Sequence, residues 1–359
     1  MISVALVGCG DVAESGHLPT ILNHGAFRLT AVCDLDRDRA EKFSRVAGGV
    51  PAYTQWRELL ANEQQLDGVV LALPPEVSTE VVVESLRRKL AVLDEKPLAA
   101  SLAEGQRLQR AVEQYGGVYQ LGFVLRYGDW VERIRHEAAG LGQPLQICVE
   151  VYDERLNPLD PGHSARIQSF IQNSSAMAHE GSHVVDYVAL WNDSPWSTAS
   201  AVTQQTSTAF PGPNIWNAQV GFENGSTLKV KIAWLLPELP HSTVTLVGSE
   251  GRLHFDCVTG VGQVESGSQE RTFTTEPLAP HWMRQYDEFS AANVAGRAMP
   301  ATVNDGLRAL ETTAACELSA QLGAVVTPRE LAAALERPSE NGASAVRNGH
   351  PPARPRVET

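Results

Sequence analysis

The sequence predicts an α/β protein. An N-terminal domain built on a parallel sheet with helices on both faces precedes an α+β domain with a large, mostly antiparallel, open-faced sheet. Three observations predict it. The chain opens with a continuously apolar run, Val4-Ala5-Leu6-Val7, that breaks into Gly8-Cys9-Gly10-Asp11-Val12-Ala13. Further apolar runs then alternate with charged segments of helical spacing to about residue 123, the pattern of a sheet wound with crossover helices. Beyond residue 145 the runs alternate apolar and polar positions and follow one another through short glycine turns, the pattern of an antiparallel meander.

The first run reads as a strand buried on both faces. In the Gly-x-Gly-x-x-Ala turn the first glycine permits the sharp bend and the second leaves room for a pyrophosphate against the backbone. The small third residue lets helix and strand pack closely. The helix that follows directs its free N–H groups and positive dipole end at the phosphate. Gly8, Gly10, Asp11, Val12 and Ala13 are therefore candidate cofactor-binding residues of a Rossmann domain.

The second strand, Leu29-Thr30-Ala31-Val32-Cys33, ends in Asp34, 21 residues after Ala13. That is where a dinucleotide fold places the carboxylate that grips the adenosine ribose hydroxyls. A carboxylate there repels a 2′-phosphate, so NAD is expected over NADP. Arg37 is close enough in sequence to keep NADP open.

Asp36 to Ala47 and Trp56 to Leu60 read as helices, and Asp67 to Leu73 as a buried parallel strand stopped by Pro74-Pro75. A helix from about Glu76 to Lys89 leads to the strand Ala91 to Asp94, closed by Glu95-Lys96-Pro97; a helix from Leu102 to Tyr115 and a strand from Val118 to Phe123 follow. Residues 1–123 are thus expected to form the Rossmann domain. Open parallel sheets bind ligands outside the carboxyl ends of their strands. Leu73, Pro74, Glu95 and Lys96 occupy such ends. Lys96 becomes an acid/base when burial or a neighbouring charge brings its amine towards neutrality.

In residues 124–336 the strands Gln146 to Tyr152, Asn217 to Phe222, Thr227 to Ile232, Ser242 to Val247 and Arg252 to Phe255 are expected, with Asn224-Gly225 as a two-residue hairpin turn. Helices are expected from about Ala176 to Trp191 and between Met283 and Leu322. Residues 337–359 are rich in Pro, Gly, Ser and Asn and read as a disordered tail.

Bulk properties exclude several classes. The 359 residues are 43% hydrophobic and carry a formal net charge of −13, which disfavours nucleic acid and anionic membrane as partners. No run of about 18 apolar residues is present, so no membrane span is expected. Leu6-Val7-Gly8-Cys9 looks like a lipoprotein cleavage site, but it lacks a basic segment before it, and the nucleotide turn explains the same residues. The five cysteines, Cys9, Cys33, Cys148, Cys257 and Cys316, are scattered without a Cys-x-x-Cys pair. They read as reduced, buried thiols of a cytoplasmic protein.

The second chemical cluster is Ala178-His179-Glu180-Gly181-Ser182-His183-Val184-Val185-Asp186-Tyr187. On a helix His179, His183 and Asp186 share one face. The string also matches the zinc-protease pattern His-Glu-x-x-His. The further ligands such a site needs are missing, since Asp186 and Ala189 stand where the extended pattern has glycine and histidine. No metal is expected.

With these residues in view the chain resembles the Gfo/Idh/MocA (glucose–fructose oxidoreductase / inositol dehydrogenase) family over about residues 2 to 330. The resemblance rests on Gly8-Cys9-Gly10-Asp11-Val12-Ala13 with His17, on Ala31-Val32-Cys33-Asp34 and on Leu73-Pro74-Pro75. Glu95-Lys96-Pro97, Gly122-Phe123 with Arg126-Tyr127, and Gly181-Ser182-His183 with Asp186 complete it. It implies a Rossmann domain with an open-faced sheet domain, an NAD(P)-dependent oxidoreductase of sugars, inositol or related polyols, and Lys96 and His183 at the reacting carbon. His179, Arg126, Tyr127 and Tyr152 are the expected substrate contacts. A homodimer or homotetramer through the C-terminal sheet is expected.

The chain departs from the family at His179, where many members carry aspartate, and at Ser78, where histidine is usual. Asn173-Ser174-Ser175 replaces a glycine-rich run. A net non-redox reaction through transient oxidation, and a non-enzymatic sugar or nucleotide sensor, are the alternative readings of the same fold.

Overall fold

A computed structural model describes residues 1–295 and 299–336; the expected tail, 337–359, lies outside the described residues. By its contacts the chain divides into two compact units: Met1–Tyr127 with Pro280–Leu310, and Gly128–Ala279 with the described residues from Glu311 on.

In the first unit, β1 (Ile2–Val7) leads through a π-helical turn at Ala13–His17 into α1 (Leu18–Asn23), followed by β2 (Phe27–Cys33), α2 (Arg37–Val46), β3 (Ala52–Tyr53) and α3 (Trp56–Asn62). Then come β4 (Gly68–Leu71), α4 (Pro75–Arg87), β5 (Ala91–Asp94), α5 (Leu102–Tyr115), β6 (Tyr119–Leu121) and a 3₁₀ turn at Val124–Tyr127. The strands form one sheet in the order β3-β2-β1-β4-β5-β6, every neighbouring pair parallel. This is the doubly wound order, whose switch point lies between β1 and β4. The β1, β4 and β5 side chains are all buried, as two-sided helix cover demands. Asp36 caps α2 by accepting from the Asp38 and Arg39 amides, and Ser101 caps α5 through the Glu104 amide, satisfying donors that a helix start leaves open.

The second unit begins with α6 (Asp129–Ala138), β7 (Gln146–Asp153), α7 (Pro161–Asn173) and α8 (Ala176–Ala189). The strands β8 (Trp196–Gln204), β9 (Ile215–Phe222), β10 (Thr227–Trp234), β11 (Thr243–Val247), β12 (Gly251–Asp256), β13 (Val261–Ser266) and β14 (Gln269–Thr274) follow. They make an eight-stranded sheet in the order β14-β13-β12-β11-β7-β10-β9-β8. Only the β7–β10 pair is parallel. On one face Ile147, Val149, Val230 and Ile232 are buried, and Trp130 of α6 stacks on Phe255 at 5.9 Å and meets Tyr187 of α8 edge-on at 5.1 Å. The alternate residues Cys148, Gln219, Lys229 and His254 are exposed on the other face.

Three further helices lie among the described residues. α9 (Trp282–Ala295) packs in the first unit, where Tyr286 and Phe289 enter the core of Val4, Leu6, Phe27, Val32 and Leu93. Phe289 stacks on Phe27 at 5.9 Å. A linear boundary at 123/124 misses this return, because the apolar side chains of α9 complete a core whose sheet lies far upstream. α10 (Val303–Leu322) contributes to both units, and α11 (Pro328–Glu336) follows.

Three local expectations change. The Asn224-Gly225 hairpin is a three-residue loop: the Phe222 amide donates to the Ser226 carbonyl, the Gly225 amide donates to the Phe222 carbonyl, and Gly225 takes φ +84°. A turn followed by a left-handed glycine fits the strand twist with one extra residue. Cys148 is exposed rather than buried, because it occupies an outward position of β7. The polar segments that form β8, β13 and β14 carry too little apolar alternation to read as strands and are built by pairing with their neighbours.

Candidate active site

The nucleotide turn is shaped by two glycines with different constraints. Gly8 sits at φ +95°, and a Cβ there would fall 2.2 Å from the Ala72 carbonyl oxygen. The turn is pressed against the end of β4 and admits no side chain. At Gly10 a Cβ would meet no atom within 4 Å, so space is open on the ligand side. The chain is helical from Asp11, with Asp11 and Val12 exposed and Ala13 fully buried. The helix thus begins on the turn with its small residue packed inward, as the fingerprint requires.

Asp34 ends β2 with both carboxylate oxygens engaged. Oδ2 accepts from the Cys9 amide at 2.7 Å and Oδ1 from the Asp36 amide at 2.8 Å. The acid is therefore fixed in direction beside the turn. Arg37, on the first turn of α2, is three-quarters exposed and lies 3.9 Å from Glu41. Burial, together with Asp34, pushes the Cys9 thiol up to about 12, so it is an inert packing group.

The carboxyl ends of β4 and β5 adjoin this turn. The Ala72 amide donates to Val7 O at 2.8 Å, and Leu73 lies against Gly8. Pro74 precedes α4, with Pro75 in its first turn. Next along the edge, the Glu95 amide donates to Leu71 O at 2.9 Å and Lys96 is half-buried. The Glu95 side chain turns into a buried network. Its Oε1 lies 3.0 Å from His17 Nε2, and its Oε2 accepts from the Lys96 amide at 3.2 Å. Asp94 faces the other way, accepting from Tyr119 at 3.1 Å and from Ser78. Burial raises its carboxyl to about 7.

Arg126 is buried, with Nη1 3.7 Å from Asp305 Oδ2. The Tyr127 hydroxyl accepts from Gln120 at 2.9 Å. Both of these contacts lie inside the first unit.

In the second unit, α8 carries the histidine cluster. Ser175 caps it by accepting from the Ala178 amide at 2.9 Å, and its hydroxyl donates to Glu317 Oε1 at 2.5 Å. Burial raises the Glu317 carboxyl to about 7. His183 and Asp186 are buried, and His179 stacks on Phe170 at 5.3 Å beside Trp234 at 5.6 Å. Gly181 packs on Met177, whose Sδ would have to shift to admit a Cβ, placed 2.5 Å away. Tyr152 does not join this cluster. It lies on the open face of the sheet, where Lys231 Nζ is 5.3 Å from its ring, because residue 152 has the strand parity opposite to buried Val149 and Ile147. Among the described residues no group of three His, Cys, Asp or Glu is placed to hold a metal ion.

Sequence reasoning did not find α7 or the cavities beside it. One, of about 620 Å³, is lined by residues that include Asp153, Asn157, Asp160 and His163. The other, of about 650 Å³, is lined by residues that include Ser164, Gln168, Ser169 and Gln172. The periodicity of α7 is weak, and Pro158 and Pro161 mask its start.

The residues of the first unit fit a dinucleotide: an open space at Gly10, a helix start above it and a fixed acid at Asp34. Residues 2–123 match the model of an oxidoreductase family with an NAD-binding Rossmann fold. The inositol 2-dehydrogenase of Salmonella typhimurium (strain LT2) is 28% identical over 162 residues, 44% of this chain and 48% of that protein. The chain thus spans about half the length of the inositol dehydrogenases it matches. The D-apiose dehydrogenase of Paraburkholderia graminis is 22% identical over 361 residues, 96% of this chain and 94% of that protein. Among solved structures, an oxidoreductase from Agrobacterium radiobacter in complex with NAD+, L-tartaric acid and magnesium superposes with a TM-score of 0.80 at 17% identity, covering 92% of this chain and 99% of the other. That likeness shows the fold.

Proposed function

We propose, from the match of residues 2–123 to the Gfo/Idh/MocA oxidoreductase family model, that the protein interconverts a hydroxyl and a carbonyl on a sugar, inositol or related polyol. NAD is the proposed cofactor; when bound, its nicotinamide supplies a two-electron hydride donor or acceptor. The observation that carries the reading is the position of Lys96. It follows β5 on the carboxyl edge of the sheet, in the row that runs from Gly8 through Leu73 and Pro74. Ligands of open parallel sheets bind along that edge.

Lys96 in the first unit and His183 in the second are the groups proposed to move the hydroxyl proton. As a cation, Lys96 also stabilises negative charge developing on the substrate oxygen. His179 is the proposed substrate contact on α8, and Asn157, Gln168, Ser169 and Gln172 in the second cavity beside α7 could hydrogen-bond a ligand rich in hydroxyls. Asp34 is proposed to accept hydrogen bonds from the adenosine ribose and so to favour NAD over NADP. Association of copies through the polar outer face of the second unit's sheet is proposed as the oligomeric contact, to be read by light scattering.

The test is a panel of sugars, inositols and their keto forms offered with NAD and NADP separately, followed by nicotinamide absorbance. Turnover with one of them supports the reading. Nucleotide-independent turnover, or no uptake of either nucleotide, overturns it.

A further inference from the structure

We infer that His17 is a positioning residue for Lys96, acting through the Glu95 carboxylate. His17 ends the π-helical turn that follows the nucleotide turn, and its side chain is wholly buried. The ring meets Trp282 edge-on with centroids 4.9 Å apart. Its Nδ1 lies 2.8 Å from the Tyr286 hydroxyl and its Nε2 lies 3.0 Å from Glu95 Oε1. One assignment of protons satisfies all three groups: the tyrosine hydroxyl donates to Nδ1, and Nε2–H donates to the carboxylate.

The other carboxylate oxygen accepts from the Lys96 amide. One side chain therefore joins the nucleotide-turn helix to the residue that carries the candidate acid/base amine. Glu95 packs directly on Gly122, where a Cβ would fall 2.6 Å from its Oε1. Gly16, one residue before His17, is pressed on Trp282 in the same way, at 2.5 Å. Packing alone does not call for an imidazole here. An aliphatic side chain would also exclude water, but it could not bridge a hydroxyl and a carboxylate on opposite sides. The two ring nitrogens set the direction of Glu95, and Glu95 sets the backbone from which Lys96 departs.

The consequence for catalysis rests on the reading of Lys96 as an acid/base, whereas the link itself is tested without it. The chain has five lysines, Lys42, Lys89, Lys96, Lys229 and Lys231. Reductive methylation with ¹³C-formaldehyde therefore yields few methyl-lysine NMR signals, and Lys96→Arg identifies that of Lys96. In His17→Leu the Lys96 signal is expected to move by more than its linewidth, while those of Lys89, Lys229 and Lys231 stay in place. In His17→Gln, whose amide can still donate to Glu95, the signal is expected to return towards its wild-type position. NADH affinity, read by fluorescence titration, is expected to change less than about threefold in both variants, because the turn and Asp34 are untouched.

An unmoved Lys96 signal in a folded His17→Leu protein overturns the inference. Equal shifts in the leucine and glutamine variants overturn it too, since they would report lost packing rather than a lost bond. If His17→Leu does not fold, Tyr286→Phe decides: it removes one hydroxyl, and an unchanged Lys96 signal refutes the link. Failure of the wild-type protein to bind NADH would count against the proposed function alone, leaving the link to be judged by the NMR signal.

Discussion

The amide of Cys9 donates to Asp34 Oδ2 at 2.7 Å, so the acid that ends β2 is tied to the middle of the nucleotide turn. Charge and turn geometry are held by one side chain. Replacing Asp34 with serine is expected to lower the ratio of the NADPH to the NADH dissociation constant by about tenfold, the effect of removing one nearby like charge. It should also cost about 1–3 kcal/mol of stability, because two amides lose their acceptor. Fluorescence titration with both nucleotides and a thermal melt check the two effects separately; an unchanged ratio removes Asp34 from its proposed role.

The two glycines of the turn should respond differently to alanine. Gly8→Ala places a methyl 2.2 Å from a backbone oxygen at φ +95°, which should destabilise the fold by more than about 2 kcal/mol. Gly10→Ala meets no protein atom and should leave the melting temperature within about 2 °C. Its methyl would occupy the space offered to the pyrophosphate, so NADH affinity should fall about tenfold or more. Equal effects of the two substitutions on melting and binding would contradict this division.

Lys96→Ala and His183→Ala are each expected to lower turnover by about 10²–10⁴-fold, the usual contribution of a general acid/base. NADH affinity should change far less, since neither substitution touches the nucleotide turn. Near-wild-type turnover in both variants would exclude them as the proton-transfer groups.

Glu317 makes a pH-dependent contribution to folding. Burial raises its carboxyl from 4.5 to about 7, so between those limits the folded chain holds a proton that the unfolded chain has released. Stability from this group is full below about pH 4.5 and is lost as pH rises through about 7. Glu317→Gln keeps the acceptor for Ser175 and removes the titration. The melting temperature of the variant relative to wild type should therefore rise by roughly 2–6 °C from pH 4.5 to 8. Asp94, raised to about 7 by burial at the end of β5, should show the same sign in Asp94→Asn. A gap independent of pH in both proteins would show that neither carboxyl is held protonated.

Most of the first unit's secondary structure was legible because its signals are local. Five of its six strands are apolar runs bounded by glycine, proline or charge, and Asp34 and Lys96 take their places from strand ends. The two-residue β3 carries no such run. The second unit was less legible. Alternation in β7, β9 and β10 marks them as strands, whereas β13 and β14 have few apolar residues and α7 lacks a strong stripe. Their structure comes from pairing and packing partners distant in the chain.

What the sequence by itself determined is the nucleotide turn, the acid at its proper distance and the positions of most parallel strands along the chain, because glycine conformation and strand hydrophobicity act over a few residues. Only the tertiary structure decided that Glu95 turns inward to His17, that Tyr152 faces away from His179 and that α9 completes the first unit's core. Those outcomes depend on strand parity, on which buried polar groups find partners and on apolar surface supplied from residues 280–310. Such contacts join positions far apart in the chain, and no local pattern encodes them.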